Sequence, residues 1–388
     1  MQKIKNIGDY IIEKLSRVTS GKALIPEIDG LRFFAIGTVL LYHLTTTLKR
    51  ANKSLDPDWL SSIIAKGGLG VDVFFAISGF ILAMPFAYHY LQGARKVDIK
   101  SYFVRRLTRL EPPFILVLII FYILHIVIDN QSPTKLFPNL LASFFYVHSI
   151  VYNKWSVINP VTWSLEVEVQ FYILAPLLAL LYTIKNSITR RTVIVALIIG
   201  VSFCSIFFKS YLVDWHLRKS ILVYLHIFLA GFLFADIFVS YRQYISEQKQ
   251  WWADILGFAG IWLIYNTRSF NDSFLQICFV LGICFLFFAA FKGKLFNTFF
   301  ANRWIAVIGG MCYTLYLLHY PIIIYAMKFT RHFSIGDSLG GNILIQALFI
   351  LPLVFLVSSF YFIWIEKPCM YKDWPSRLKT KLFGAKTS

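Results

Sequence analysis

Long apolar runs constrain this chain more than any other feature. Leu31 to Leu48, Trp163 to Tyr182, Ile221 to Val239 and Asn342 to Ile365 each approach or reach the roughly 20 residues that cross a bilayer as helix. None alternates apolar and polar residues as a barrel strand does, and in lipid only a helix or a closed barrel satisfies every backbone group. Composition points the same way. Of 388 residues 57% are hydrophobic and 15% charged, where a soluble domain carries roughly 25% charged residues. The expected class is an all-α integral membrane protein.

Ten runs look spanning: 31–48, 69–91, 112–128, 163–184, 192–209, 219–239, 251–266, 274–291, 304–327 and 342–365. An eleventh stretch, Leu136 to Val151, is shorter and carries Pro138, Asn139 and His148. Charge counting decides its status. If it does not span and the N-terminus is cytoplasmic, the inner segments hold 25 Lys and Arg and the outer ones 12, with Arg32 set aside. If it spans, the split becomes 18 against 19. Cytoplasmic loops carry the excess of Lys and Arg, so the first arrangement is favoured. The expectation is therefore about ten transmembrane helices with both termini cytoplasmic, in the cytoplasmic (inner) membrane of the cell. Leu136 to Val151 becomes a re-entrant or interfacial helix on the outer side. Residues 1–30 form a leader in which Ile4, Ile7, Ile11, Leu15 and Val18 recur at three- and four-residue steps, as in an amphipathic helix on a membrane surface. Residues 31–365 form the membrane domain and 366–388 a basic cytoplasmic tail. No internal repeat is evident.

The net charge of +18 does not indicate nucleic acid, because the basic residues sit in the short segments between apolar runs. The five cysteines make no CxxC pair, so neither a disulfide framework nor a metal site is expected.

Polar residues inside spanning helices are costly and hence functional candidates. In the first run, Asp29-Gly30-Leu31-Arg32 precedes His43. Eleven residues make three turns plus about 20°, so Arg32 and His43 share a face about 16 Å apart. The second run holds Asp72 near its outer end and Ser78 between Gly70 and Gly79. Asp72 suits an acceptor hydroxyl, a histidine partner or an interfacial cap, and Ser78 suits close helix packing. Arg105, Arg106 and Arg109 make a cationic face before Pro112. Arginine forks grip phosphate oxygens in pairs, although plain membrane anchoring would use the same charges. Ser164, Glu168 and Tyr172 share a face by four-residue spacing, and Glu166 points elsewhere. Tyr313 and His319 lie in the ninth run, where a buried histidine is often only packed. His43, Glu168 and His319 fall near one level in the outer half of the membrane, and the arginines gather at the inner boundary. A cationic inner mouth below a His/Glu/His cluster suits a long anionic donor such as coenzyme A.

Taken in order, these sets resemble the acyltransferase 3 family of membrane O-acyltransferases. The specific pieces are Arg32-x10-His43, Phe74-Phe75-x-x-Ser78-Gly79-Phe80, Arg106-x-x-Arg109, Trp163-Ser164-Leu165-x-x-Glu168, Tyr313-x-x-Tyr316-Leu317-x-His319 and Glu366-Lys367-Pro368. The resemblance runs from Ile28 to Pro368. It implies a ten-helix core and transfer of an acyl group, acetyl above all, from acyl-CoA to an extracytoplasmic glycan or lipid-linked sugar. It carries functional positions onto Arg32, His43, Arg106, Arg109 and Glu168, with Tyr313 and His319 beside them. Val169 stands where a second Glu is common, and Cys312 where Ser often precedes the Tyr. Some relatives carry an esterase-like C-terminal domain, and the short tail leads us to expect none here. The expected roles are His43 as general base, Glu168 as orienting group, His319 or Tyr313 as oxyanion donor, and the arginines as donor-phosphate ligands. Asp72, Ser78 and Ser164 are acceptor-binding or structural candidates. A covalent acyl-histidine intermediate stays open, as does the oligomeric state. Two other classes remain: a transporter or flippase for a lipid-linked glycan, and a membrane polysaccharide polymerase or glycosyltransferase. Only the acyltransferase releases free coenzyme A.

Overall fold

A computed structural model describes residues 6–18, 24–211, 219–246, 248–269, 271–371 and 373–375. Ile4 and the tail beyond residue 375 lie outside the described residues. Among those described, helix is the only extended secondary structure, with two isolated β-bridges. The main elements are α1 (Ile7–Leu15), α2 (Pro26–Ala51), α3 (Gly70–Gln92), α4 (Ile99–Val127), α5 (Pro133–Phe144) and α6 (Trp163–Leu178). There follow α7 (Ser187–Tyr211), α8 (Ile221–Ser240), α9 (Trp251–Thr267), α10 (Ser273–Lys292), α11 (Arg303–Gly310), α12 (Cys312–Thr330) and α13 (Leu339–Tyr361).

All ten expected runs are helical, but they do not all make simple spans. Among the described residues eight helices are long and apolar enough to cross a membrane, or nine if α11 and α12 count as one span. That pair, expected as one spanning run over 304–327, bends by 68°. The cause is local. Gly309 lies against the Asp29 carbonyl, where any Cβ would collide, so α11 seats on α2 and the chain turns at Met311. Helix α9 has 17 residues, about 26 Å at the helical rise and just short of a hydrocarbon core of about 30 Å. Helix α4 begins well before its expected run, so Arg105, Arg106 and Arg109 stand on the same 29-residue helix as that run. The stretch at 136–151 breaks into the 12-residue α5 and a five-residue helix, His148–Tyr152. At about 18 Å, α5 is too short to cross.

Lipid tails are as apolar as leucine, so membrane helices are held by close packing rather than by burial from water. The core pair α3 and α8 shows how. Gly79 rests on the Phe228 carbonyl and Gly231 on the Ala76 carbonyl, with no room for a Cβ on either. Aromatic rings fill the surroundings. Phe228 stacks on Phe171 with centroids 3.9 Å apart and on Phe75 at 4.8 Å. Outward, Ile173, Leu177, Trp262, Leu348 and Trp364 stay exposed, as lipid-facing residues must.

Several buried charges are structural. Asp236 pairs with Arg190 and Arg191. Asp254 accepts backbone N–H bonds from Lys294, Leu295 and Phe296, closing the start of the short helix Leu295–Phe300. Glu166 accepts from the Ser149 backbone N–H at 2.9 Å and fixes the short helix after α5. Pairing or capping of this kind is what makes a buried charge tolerable.

Candidate functional site

The polar residues left over gather at two levels. One is an arginine end, where α1, the start of α2, the first half of α4 and the end of the chain's last helical segment meet. Asp29 is buried and bridges two guanidiniums: Arg32 Nη1 at 2.8 Å and Arg17 Nε at 2.9 Å. Arg109 and Glu366 lie within electrostatic reach of this group. Burial and the adjacent Arg32 cation pull Arg17 down to about 10, so it stays charged at neutral pH. Arg109 Nε is buried without a partner. Glu366 ends a π-helical turn, Phe362–Glu366, and its Oε2 accepts from the Thr314 backbone N–H at 3.1 Å and from the Thr314 hydroxyl. It thereby caps α12 just after the bend, where the helix has free N–H groups. Its Oε1 is buried and unpartnered.

Arg106 lies 3.7 Å over the Tyr102 ring and 5.7 Å from the Tyr172 ring. Arg105 points away, exposed, with Nε on its own helix at the Ser101 carbonyl. The cationic face read from three- and four-residue spacing therefore splits, with Arg106 and Arg109 inward and Arg105 outward.

From Arg106 a polar string leads inward. The Tyr172 hydroxyl donates to Glu168 Oε1 at 2.8 Å, and the Ser78 hydroxyl donates to the same oxygen at 2.6 Å. The shared face of Glu168 and Tyr172 is thus realised as a hydrogen bond. Ser78 packs closely and also holds the carboxylate. Beyond Glu168, Ser164 donates to the Tyr316 hydroxyl at 3.1 Å, and the Tyr316 ring stands 6.4 Å from His319.

The second level is the histidine pair. The rings of His43 on α2 and His319 on α12 have centroids 5.2 Å apart. His319 is fully buried, and its Nδ1 meets the Leu315 carbonyl at 2.9 Å. A carbonyl only accepts, so Nδ1 carries the proton and Nε2 holds a bare lone pair. That Nε2 is buried and has no partner. His43 is partly exposed, with the Tyr320 ring 4.8 Å away. One imidazole is thus held in a tautomer with a bare Nε2 lone pair, and the other is partly exposed. Among the described residues Glu168 makes no hydrogen bond to either histidine.

Two other candidates are committed elsewhere. Asp72 is buried and paired with Arg268 at the end of α9, so its charge ties α3 to α9. The Tyr313 hydroxyl donates to the Leu110 carbonyl at 2.8 Å, locking α12 to α4. Four residues near the two levels were not read from sequence: Arg17, Tyr320, Arg50 and Glu366 as a charge. The Tyr320 hydroxyl accepts from Arg50 at 3.3 Å. Arg50 lies seven residues after His43, two turns on, so helical spacing could have found it.

No solved structure matches this chain. The O-acetyltransferase OatA of Staphylococcus aureus (strain NCTC 8325 / PS 47) is 27% identical over 351 residues, which cover 82% of this chain and 53% of that protein. The putative O-acetyltransferase SACOL0978 of Staphylococcus aureus (strain COL) is 25% identical over 370 residues, covering 87% of this chain and 56% of the other. The chain thus spans about half the length of the curated relatives it matches. The family profile described as an acyltransferase domain matches residues 25–365, a range that contains every helix from α2 to α13 and the histidine pair, but neither Arg17 nor Glu366 of the arginine end. The chain belongs to the acyltransferase 3 family.

Proposed function

We propose that this membrane acyltransferase moves an acyl group, acetyl above all, from cytoplasmic acyl-CoA to a hydroxyl of a glycan or lipid-linked sugar on the other side of the membrane. The observation that carries the reading is the histidine pair, with the His319 tautomer fixed and His43 open beside it. The arginine end about 16 Å along α2 suits the phosphates of coenzyme A, and its flexible arm covers the distance. The relatives named O-acetyltransferases support acetyl as the group and oxygen as its destination.

In this mechanism His43 takes the proton of the acceptor hydroxyl as its oxygen attacks the thioester carbonyl. The tetrahedral intermediate collapses, the C–S bond breaks, and the thiolate takes the proton back from the imidazolium. An ester and free coenzyme A result. His319 Nε2 has a lone pair and no proton, and its ring, 5.2 Å from that of His43 between centroids, steadies the imidazolium that forms there. The oxyanion donor expected of His319 or Tyr313 is reassigned to the Tyr320 hydroxyl, whose oxygen accepts from Arg50 and whose own proton is left to give. Glu168 orients the acceptor. Asp72 is a structural ion pair in this scheme, and Ser78 and Ser164 hold Glu168 and Tyr316.

Membrane vesicles made from cells with and without the chain, given acetyl-CoA on the arginine side, test the reading. Free thiol should appear only with the chain, and one class of glycan should gain the mass of an acetyl group. Glycan acetylation unchanged by removal of the chain would overturn the proposal.

A further inference from the structure

We propose that Arg17, supplied by the leader segment, is a donor-binding residue that grips a phosphate of coenzyme A together with Arg32 and Arg109. The inference rests on the reading of the arginine end as the donor site.

The charge balance of that end motivates it. Four guanidiniums, those of Arg17, Arg32, Arg106 and Arg109, stand with three carboxylates, Asp29, Glu168 and Glu366, at and beside that end. One positive charge is in excess in a poorly solvated place, where like charges repel strongly and an anion is attracted. Asp29 engages only Nε of Arg17 and Nη1 of Arg32, and an arginine has five N–H donors. Arg109 Nε is buried and has no acceptor among the described residues. This describes a site for a multiply charged anion with several oxygens. An ion-pair network closed on itself would leave neither the excess charge nor the orphan donor.

The leader is held as if to place this residue. Arg303 pairs with Asp9 at 3.0 Å at the start of α1. Lys367 Nζ donates to the carbonyls of Glu13 and Lys14, both at 2.8 Å, at its end. Leu15 and Val18 pack on a cluster of Met311, Phe362 and Met370. Arg17 lies between these last two contacts, so its backbone is fixed from both sides. Ile7, Tyr10 and Ile11 remain exposed on α1 and are free to meet lipid, as an amphipathic leader requires.

The test is coenzyme A binding to the purified full chain in detergent, measured by titration calorimetry across a series of salt concentrations. Arg17→Ala should weaken binding about ten- to hundredfold, the range expected for a lost charge-assisted hydrogen bond. It should also flatten the salt dependence, because one cation fewer meets the ligand. Arg17→Lys should recover part of the affinity, since the charge returns without the fork. Lys367→Ala, which unfastens the leader and keeps Arg17, should weaken binding in the same direction. Wild-type affinity and salt slope in Arg17→Ala, beside clear loss in Arg109→Ala, would reduce Arg17 to a tether and overturn this inference alone. Unchanged binding in both variants would overturn the donor site itself.

Discussion

A histidine inside a membrane has two ordinary fates, packing or proton transfer, and His319 shows which residue of the pair does which. Full burial and a bond to the Leu315 carbonyl keep it from touching a substrate but leave it a lone pair. His43 is partly exposed and makes no side-chain hydrogen bond among the described residues, and the proposed mechanism gives it the proton of the acceptor. His43→Gln should lower the rate of coenzyme A release with acceptor present by about 10²–10⁴, the usual cost of losing a general base. Binding of coenzyme A should persist, because the arginines proposed to hold it are about three helical turns away. Turnover near that of the wild type would reduce His43 to packing. Glu168 has a different vulnerability. Both of its hydroxyl donors land on Oε1. Glu168→Gln keeps an oxygen for Ser78 and Tyr172 but loses the charge, so kcat should fall at least tenfold with protein yield unchanged. Equal losses of yield and activity would instead make Glu168 a structural clasp. These two residues were legible in the sequence because desolvation makes any polar group in an apolar run expensive. The meeting of Tyr320 and Arg50 was not, since it joins α12 to α2, and the seven-residue step from His43 places Arg50 on a face without saying what it meets there.

Among the elements, the long apolar helices were readable from hydropathy alone, because lipid imposes length and composition on them. The breaks were not. The bend between α11 and α12 depends on Gly309 meeting a carbonyl of α2, a contact between residues 280 apart that no local pattern encodes. The same blindness hid the role of Glu366, which read as part of a terminal motif and proves to cap α12 across the molecule. Helices α3 and α8 make the contrast sharp. Their facing glycines leave no room for a Cβ, and no hydrophobic gain compensates if the helices part. Gly231→Val should therefore cost more than the usual 1–3 kcal/mol of overpacking, since backbone stands on the other side and cannot rotate away. The expected outcome is loss of most folded protein from the membrane, read by size-exclusion after detergent extraction. Val in place of Gly37, beside which no atom lies within 4 Å, serves as the control and should leave yield unchanged. Equal yields for the two variants would show that the α3–α8 contact is looser than its geometry.

For the whole molecule the open quantity is how many times the chain crosses the bilayer, and the arithmetic of charge and the geometry of α9 bear on it together. The 25-to-12 division of Lys and Arg came from a ten-span count that treats residues 251–266 as one crossing. Helix α9 is short for that role at 17 residues. It is nevertheless half of an antiparallel hairpin with α10, which has 20 residues. The Gln250 N–H donates to the Lys292 carbonyl at 2.8 Å, so the start of α9 and the end of α10 stand at one level. Gly260 and Gly282 bring the two backbones together midway. If α10 crosses, α9 has already made nearly the same journey, and a shortfall of a few ångströms is met by thinning of the bilayer or by interfacial residues such as Trp251 and Trp252. Two exposed positions decide the matter by parity. Lys185 lies between α6 and α7, and Ser334 between α12 and α13. Five crossings separate them if α9 spans and α11 with α12 makes one span, and four if α9 does not. In a variant with the five native cysteines replaced, Ser334→Cys should react with a membrane-impermeant maleimide on intact cells, and Lys185→Cys only after permeabilisation. Labelling of both positions from the same side would remove either α9 or the α11–α12 pair from the count of crossings. Labelling of Lys185→Cys alone from outside would invert the orientation, and with it the placement of the arginine end on the cytoplasmic face where acyl-CoA is held to enter.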